Sequence, residues 1–174
     1  GLFISTAAGF ALGYLAAKLL EAVCKRMSRR RTEGFFSIGQ VASAALMSFA
    51  HGAQDGQKLM GVFCITLTAG GLFSQSSGGT MTIPAWVMLL CSLLMALGTS
   101  VGGYRIIKSL GIDMVRLEKY QGFAAEIAAS GGLLVSTYFG IPLSTTNTKA
   151  TAMLGAGATR GRRRINWSIA RDML

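Results

Sequence analysis

Apolar runs separated by short polar ones set the outline of the chain. Gly1–Val23 is mostly Ala, Leu, Phe and Gly, and further runs cover Phe35–Phe73, Pro84–Tyr104 and Tyr120–Phe139. A helix of about 20 apolar residues crosses the hydrocarbon core of a bilayer, so Gly1–Val23, Pro84–Tyr104 and Tyr120–Phe139 read as spans. Lys18 and Glu21 close the first of these, where a long lysine stem can snorkel to the interface. Trp86 and Tyr104 bracket the third run as interfacial anchors. Phe35–Phe73 is 39 residues long, too many for one straight span of about 20. It is broken by Ala50–Lys58, which places His51, Gln54, Asp55, Gln57 and Lys58 around Gly52 and Gly56. A second polar stretch, Gly140–Lys149, follows the fourth run and leads into a short helix over about Thr145–Ala158. Gly70–Pro84 reads as an uncharged loop rich in Gly, Ser and Thr. The pattern predicts an all-α, polytopic membrane helix bundle. It contains an interrupted helix over Phe35–Phe73 and, over Tyr120–Ala158, either two paired spans or a re-entrant hairpin turning at the second polar stretch.

Composition agrees with that outline. Hydrophobic residues make up 51% of the 174 residues and charged ones 14%, against about 25% charged in soluble domains. Mean hydropathy is +0.48. The net charge of +10 raises nucleic acid as a partner, but its placement excludes that class. Thirteen of the 17 basic residues fall in three short connections: Lys25, Arg26 and Arg29–Arg31; Arg105, Lys108, Arg116 and Lys119; Arg160 and Arg162–Arg164. Connections of this kind mark cytoplasmic loops, whereas a nucleic-acid surface interleaves basic and aromatic residues on a soluble fold. The loops around 24–34, 105–119 and 160–164 are therefore expected in the cytoplasm, with the chain multi-pass in the cell membrane and the lipid bilayer as its partner. Pro84–Tyr104 then runs inward, and Phe35–Phe73 crosses an odd number of times.

Glycine is frequent, 23 of 174 residues, which favours close helix packing in lipid. Gly9 and Gly13 form a small-xxx-small pair that reads as packing. Cys24, Cys64 and Cys91 are far apart and lack metal-ligand spacing. The chain opens inside an apolar run without Met and stops just after a basic loop, so both ends are expected to be cuts in a longer protein.

Three places carry candidate chemistry. Asp55, flanked by glycines within an apolar run, is costly in a membrane unless it meets a cation or a proton. Gln54 beside it adds oxygen, and oxygen ligands suit a hard cation. The plainer alternative is a solvated loop in which Asp55 and Lys58 form an ordinary pair, and His51 is more readily a packed residue than a ligand. At the second stretch, Ser144 is placed as an N-cap, with Thr145, Thr146 and Asn147 in the first turn. Free N–H groups, the helix dipole and hydroxyls there suit a tetrahedral oxyanion. Hydroxyls bonded back to the backbone are an equal alternative. Glu126, with Gln121 five residues before it, is a third candidate for a coupling ion, or else an interfacial residue.

Four runs resemble signatures of the inorganic phosphate transporter (PiT) family, in the bacterial style. They are Ser48–Gly61, containing His51-Gly52-Ala53-Gln54-Asp55-Gly56-Gln57-Lys58; Gly98–Lys108; Gln121–Glu126; and Gly140–Thr146, containing Pro142-Leu143-Ser144-Thr145-Thr146. The resemblance covers about Phe35 to Gly157. It implies phosphate symport with Na⁺ or H⁺ by alternating access, through two inverted repeats that each supply half of a site, and no enzymatic activity. This chain would be the C-terminal repeat region as a single membrane domain, partnered by an N-terminal repeat and open to homo-oligomer formation. Phosphate is assigned to Ser144, Thr145, Thr146 and Asn147. The coupling ion is assigned to Asp55, Gln54, Glu126 and Gln121. If sodium drives the symport, Asp55 and Glu126 are its metal ligands, and no other cofactor is implied. Two positions depart from the wider family pattern: Gln54 stands where Asn is usual, and Asn147 where many relatives have His. The rival reading from another class is a channel-like or structural membrane subunit without ion coupling.

Overall fold

The computed structural model describes residues 2–25, 29–72, 83–108, 114–161, 165–168 and 170. Most of the Gly70–Pro84 loop lies outside them, as do Arg26, Arg162–Arg164 and the side chains of Arg29–Arg31 and Arg105. The described residues form five helices: α1 (Leu2–Cys24), α2 (Arg29–Ala69), α3 (Ala85–Lys108), α4 (Lys119–Tyr138) and α5 (Thr145–Ala158). A single antiparallel bridge pairs Val115 with Ile165. By length and composition Leu2–Cys24 and Ala85–Tyr104 can each cross a membrane, as the first and third apolar runs predict.

The distribution of side-chain size identifies the solvent. The main core is built from Ala17, Ala50, Ala124, Ala125, Ala129, Ala152 and Ala156, joined by Met47, Leu133 and Leu143. Ser5, Ser43, Ser130, Thr148 and Thr151 are also buried. Meanwhile Phe3, Leu15, Leu19, Ile38, Val41, Leu93 and Val101 face outward. Small and hydroxylated residues inside, with large apolar ones outside, reverse the order expected in water. Helices in lipid pack this way, because small residues let backbones approach while large ones meet the acyl chains. The molecule is a helical membrane bundle.

Glycine makes the closest approach, between α1 and α5. A Cβ added to Gly13 would lie 2.2 Å from the Ala152 carbonyl oxygen, and one added to Gly155 would lie 2.2 Å from that of Phe10. Gly9 faces Thr151 in the same seam. The small-xxx-small pair is thus a packing surface. Helices α2 and α4 run parallel and in register, because Phe36 meets Tyr120, Ser43 meets Glu126 and Gln54 meets Ser136. Helix α3 returns alongside the far half of α2, with Cys64, Val87 and Cys91 in a small shared cluster. Both cysteines are free and buried.

The expected interruption of the second apolar run is corrected by the structure. Helix α2 continues for 41 residues through Ala50–Lys58, about 60 Å at 1.5 Å per residue. The reason lies in spacing. His51, Gln54, Asp55 and Lys58 recur at i, i+3, i+4 and i+7, so an intact helix presents all four on one face. The side chains of Gln54, Asp55 and Lys58 find partners at the turn between α4 and α5 and the start of α5, and no backbone needs to unwind to supply oxygen ligands. Each interior glycine costs about 1 kcal/mol relative to Ala, which the surrounding turns of a long helix absorb.

Helices α4 and α5 form a helical hairpin. Its turn uses Gly140 at φ +66°, a left-handed conformation natural to glycine, and Phe139, Gly140 and Ile141 donate back to the last carbonyls of α4. Helix α5 has 14 residues, or about 21 Å, which is less than the roughly 30 Å hydrocarbon core. The turn meets α2 near Gln54–Lys58 and so lies well short of the end of α2 at Ala69.

Candidate functional site

The polar face of α2 meets the turn and first residues of the α4–α5 hairpin, which brings the two polar stretches of the sequence into contact. Asp55 is the hub. Its Oδ2 accepts a hydrogen bond from the Thr145 hydroxyl at 2.8 Å, and its Oδ1 lies 2.9 Å from the Lys58 ammonium. His51 Nδ1 stands 3.5 Å from Oδ2, one helical turn away. Lys58 Nζ also donates to the Leu143 carbonyl at 2.9 Å, so the ammonium ties α2 to the hairpin turn. This pair goes beyond a surface ion pair, because one of its members bonds across 90 residues of chain to the start of α5.

Gln54 is buried beside it. Its Nε2 donates to Ser136 Oγ at 3.2 Å and to the Ile141 carbonyl at 3.4 Å. Its Oε1 is buried without a hydrogen-bond partner. Exchanging the two amide atoms would set an acceptor against the Ile141 carbonyl, so the present orientation is the favourable one. A buried acceptor left unsatisfied costs about 1–3 kcal/mol, and such groups cluster where a ligand or water completes the set.

Ser144 caps α5 as its residue type predicts: Oγ accepts from the Asn147 N–H at 3.4 Å. Thr148 and Thr151 are bonded back to the carbonyls of Ser144 and Asn147, as in the plainer reading of the hydroxyl-rich stretch. Thr145 is not, since its hydroxyl serves Asp55. Asn147 is buried and Thr146 is exposed. The site therefore combines a carboxylate, an ammonium, a hydroxyl and a helix N-terminus within one shell. The dipole end that suits an oxyanion already has the Asp55 carboxylate at its first residue.

Glu126 and Gln121 lie elsewhere. Glu126 Oε2 accepts from Ser43 Oγ, and Ser43 precedes Asp55 on α2 by twelve residues, about 18 Å along the axis. Asp55 and Glu126 therefore do not share one cation shell in this conformation. Among the described residues no cluster of three or more His, Cys, Asp or Glu side chains could hold a metal. Gln121 is fully buried, and its amide is engaged in bonds between elements. Its Oε1 accepts from the Glu118 N–H in a capping box, while its Nε2 donates to the Ala156 carbonyl at 3.0 Å and to the Thr159 hydroxyl at 3.1 Å. It joins the start of α4 to the end of α5.

Two residues of these networks escape a reading for isolated motifs. Ser136 and Ser43 look like ordinary small residues of apolar segments, and their partners lie 82 and 83 residues away. Lys58 is visible, but only the fold shows that it reaches Leu143. The available signal was the i, i+3, i+4, i+7 spacing from His51 to Lys58.

The model of the Phosphate transporter family matches residues 5–174. The chain is 37% identical over 162 residues to a Mycobacterium leprae protein named "probable low-affinity inorganic phosphate transporter", covering 93% of this chain and 38% of that protein. Proteins of the same name from Bacillus subtilis and Rhizobium meliloti are 31% and 33% identical over 173 and 171 residues, 99% and 98% of this chain. The chain spans 51% and 50% of the length of these two relatives. No solved structure matches it significantly.

Proposed function

The chain belongs to the phosphate transporter family, and on that premise we propose that it supplies one half of the binding site of an inorganic phosphate symporter coupled to Na⁺ or H⁺. Transporters rather than enzymes carry the names of its relatives, so binding and passage are the chemistry to explain. The observation that carries the reading is the Asp55–Thr145 contact, which sets a carboxylate against the helix start best suited to an oxyanion. Phosphate approaching Ser144–Asn147 would meet Asp55 at close range. Two like unit charges about 5 Å apart repel by about 3 kcal/mol at an effective dielectric of 20, a penalty of a hundredfold or more in affinity. The Lys58 ammonium offsets part of that repulsion, and a further cation or proton at Asp55 makes the shell net positive, so anion and cation binding favour each other. The electrostatics of the shell support the symport reading.

In this reading the α4–α5 hairpin is re-entrant, with its turn held at membrane depth against α2, and irregular backbone there is tolerated because it faces the site. Glu126 is a second ion-responsive position, separate from Asp55 in this conformation and engaged in another stage of alternating access. The C-terminal repeat described by this chain faces an N-terminal repeat of the same transporter, and the basic connections lie in the cytoplasm. The test is uptake of labelled phosphate by proteoliposomes containing the full-length transporter that carries this chain. Uptake should follow an imposed Na⁺ or H⁺ gradient and collapse in Asp55→Ala and Glu126→Gln. Gradient-independent uptake would favour the channel-like alternative, and unchanged uptake in both variants would remove the site assignment.

A further inference from the structure

The Lys58 ammonium lies 2.9 Å from Asp55 Oδ1 and 2.9 Å from the Leu143 carbonyl oxygen. Those are a carboxylate and a backbone carbonyl, the oxygen types that a hard monovalent cation also takes. We propose that Lys58 is a tethered occupant of the cation seat, so that a metal cation binds at Asp55 only by displacing the ammonium. The inference rests on the reading of Asp55 as a cation-binding carboxylate and adds a residue that competes for it.

Three features support it. Asp55 and Lys58 are i and i+3 on an unbroken helix, so the stem delivers the charge without any movement of α2. The contact with Leu143 O is not helical geometry but an inter-element bond across 85 residues, which draws the ammonium of this solvent-exposed side chain to the turn. Thr145 Oγ1 on the other carboxylate oxygen completes the shell on the α5 side. Once displaced, the ammonium remains one stem length from the first turn of α5, where it can pair with an incoming oxyanion. Cation entry and anion binding are then linked through one side chain.

The test uses the full-length transporter in detergent and reads thermal unfolding while Na⁺ replaces choline at constant ionic strength. A ligand that binds the folded state raises the unfolding temperature in proportion to its occupancy. In Lys58→Met the half-saturating Na⁺ concentration should fall about tenfold or more relative to wild type, and adding Asp55→Asn should abolish the Na⁺ response. Lys58→Gln, which keeps a donor for the Leu143 carbonyl, serves in its place if the Met variant does not fold. A folded variant with an unchanged or weaker Na⁺ response overturns the proposal, as does a gain that survives Asp55→Asn. A parallel phosphate titration of the wild type reads the functional assignment separately. Its failure would strike the phosphate site and leave the Na⁺ comparison interpretable.

Discussion

Asp55 and Thr145 are separated by 90 residues in the chain and joined by a 2.8 Å hydrogen bond in the fold. Their contact merges two polar stretches that look like separate devices, one for a cation and one for an anion. It depends on three features. An unbroken α2 presents Asp55 on its polar face, Gly140 closes the turn at φ +66°, and Ser144 starts α5 so that Thr145 points its hydroxyl at α2. The glycine seam between α1 and α5 holds the second partner in place from behind.

Removing the hydroxyl while keeping its shape isolates this contact. Thr145→Val should leave the protein folded and reduce phosphate uptake by the full-length transporter at least tenfold, because a charge-assisted hydrogen bond of about 1.5–3 kcal/mol is lost at the site. Thr145→Ser should restore most of it. Impairment by Thr145→Ser with Thr145→Val near wild type would mean that the methyl group, and hence packing, is what matters.

The glycines divide into two groups with opposite expected signs. Gly52 has nothing within 4 Å of a built Cβ and lies inside an intact helix, so Gly52→Ala should stabilise by about 0.5–1 kcal/mol. Gly13→Ala places a Cβ 2.2 Å from a backbone oxygen and should separate α1 from α5, lowering the unfolding temperature and the yield of folded protein. If α2 unwinds at Gly52 as a required step in the resting protein, the first substitution will destabilise instead.

Gln121 and Glu126 make a second pair with different expected readouts. Gln121→Ala strips partners from the Glu118 N–H, the Ala156 carbonyl and the Thr159 hydroxyl at once, and should cost about 1–3 kcal/mol of stability. Uptake per folded molecule should change little. Glu126→Gln keeps its size and can still accept from Ser43, so it should leave stability nearly unchanged while lowering uptake. Thermal unfolding and uptake measured on the same preparations separate the two roles.

The sequence makes the bundle legible because hydrocarbon and water sort residues coarsely. Leu, Ile and Phe crowd Gly1–Val23 and Pro84–Tyr104, and both are helices of spanning length. Ser144 as an N-cap and Gly9–Gly13 as a seam were readable for a local reason: capping and close approach depend on residue type within one turn. The continuity of α2 was harder. Glycines and charges within an apolar run look like a break unless the helical spacing of His51, Gln54, Asp55 and Lys58 is weighed against them. The bonds of Gln54 to Ser136 and of Glu126 to Ser43 were not readable at all. They follow from the parallel register of α2 and α4, which no local pattern specifies.

That register also gathers charge at one end of the molecule. Tyr120 at the start of α4 lies under the Arg160 guanidinium, 5.5 Å from its ring centroid, and Arg160 pairs with Glu118. Phe36, near the start of α2, packs against the same tyrosine. The start of α2, the start of α4 and the end of α5 are therefore neighbours, which sets Arg160 at the end of the molecule that charge sidedness expects in the cytoplasm. In cells expressing the full-length transporter with Cys24→Ser, a cysteine introduced as Lys25→Cys should resist a membrane-impermeant maleimide until the membrane is permeabilised. Leu72→Cys, just beyond the opposite end of α2, should react from outside without permeabilisation. Labelling of both positions from the same side would break the assignment of an odd number of crossings to α2, and with it the inward-facing placement of the basic end.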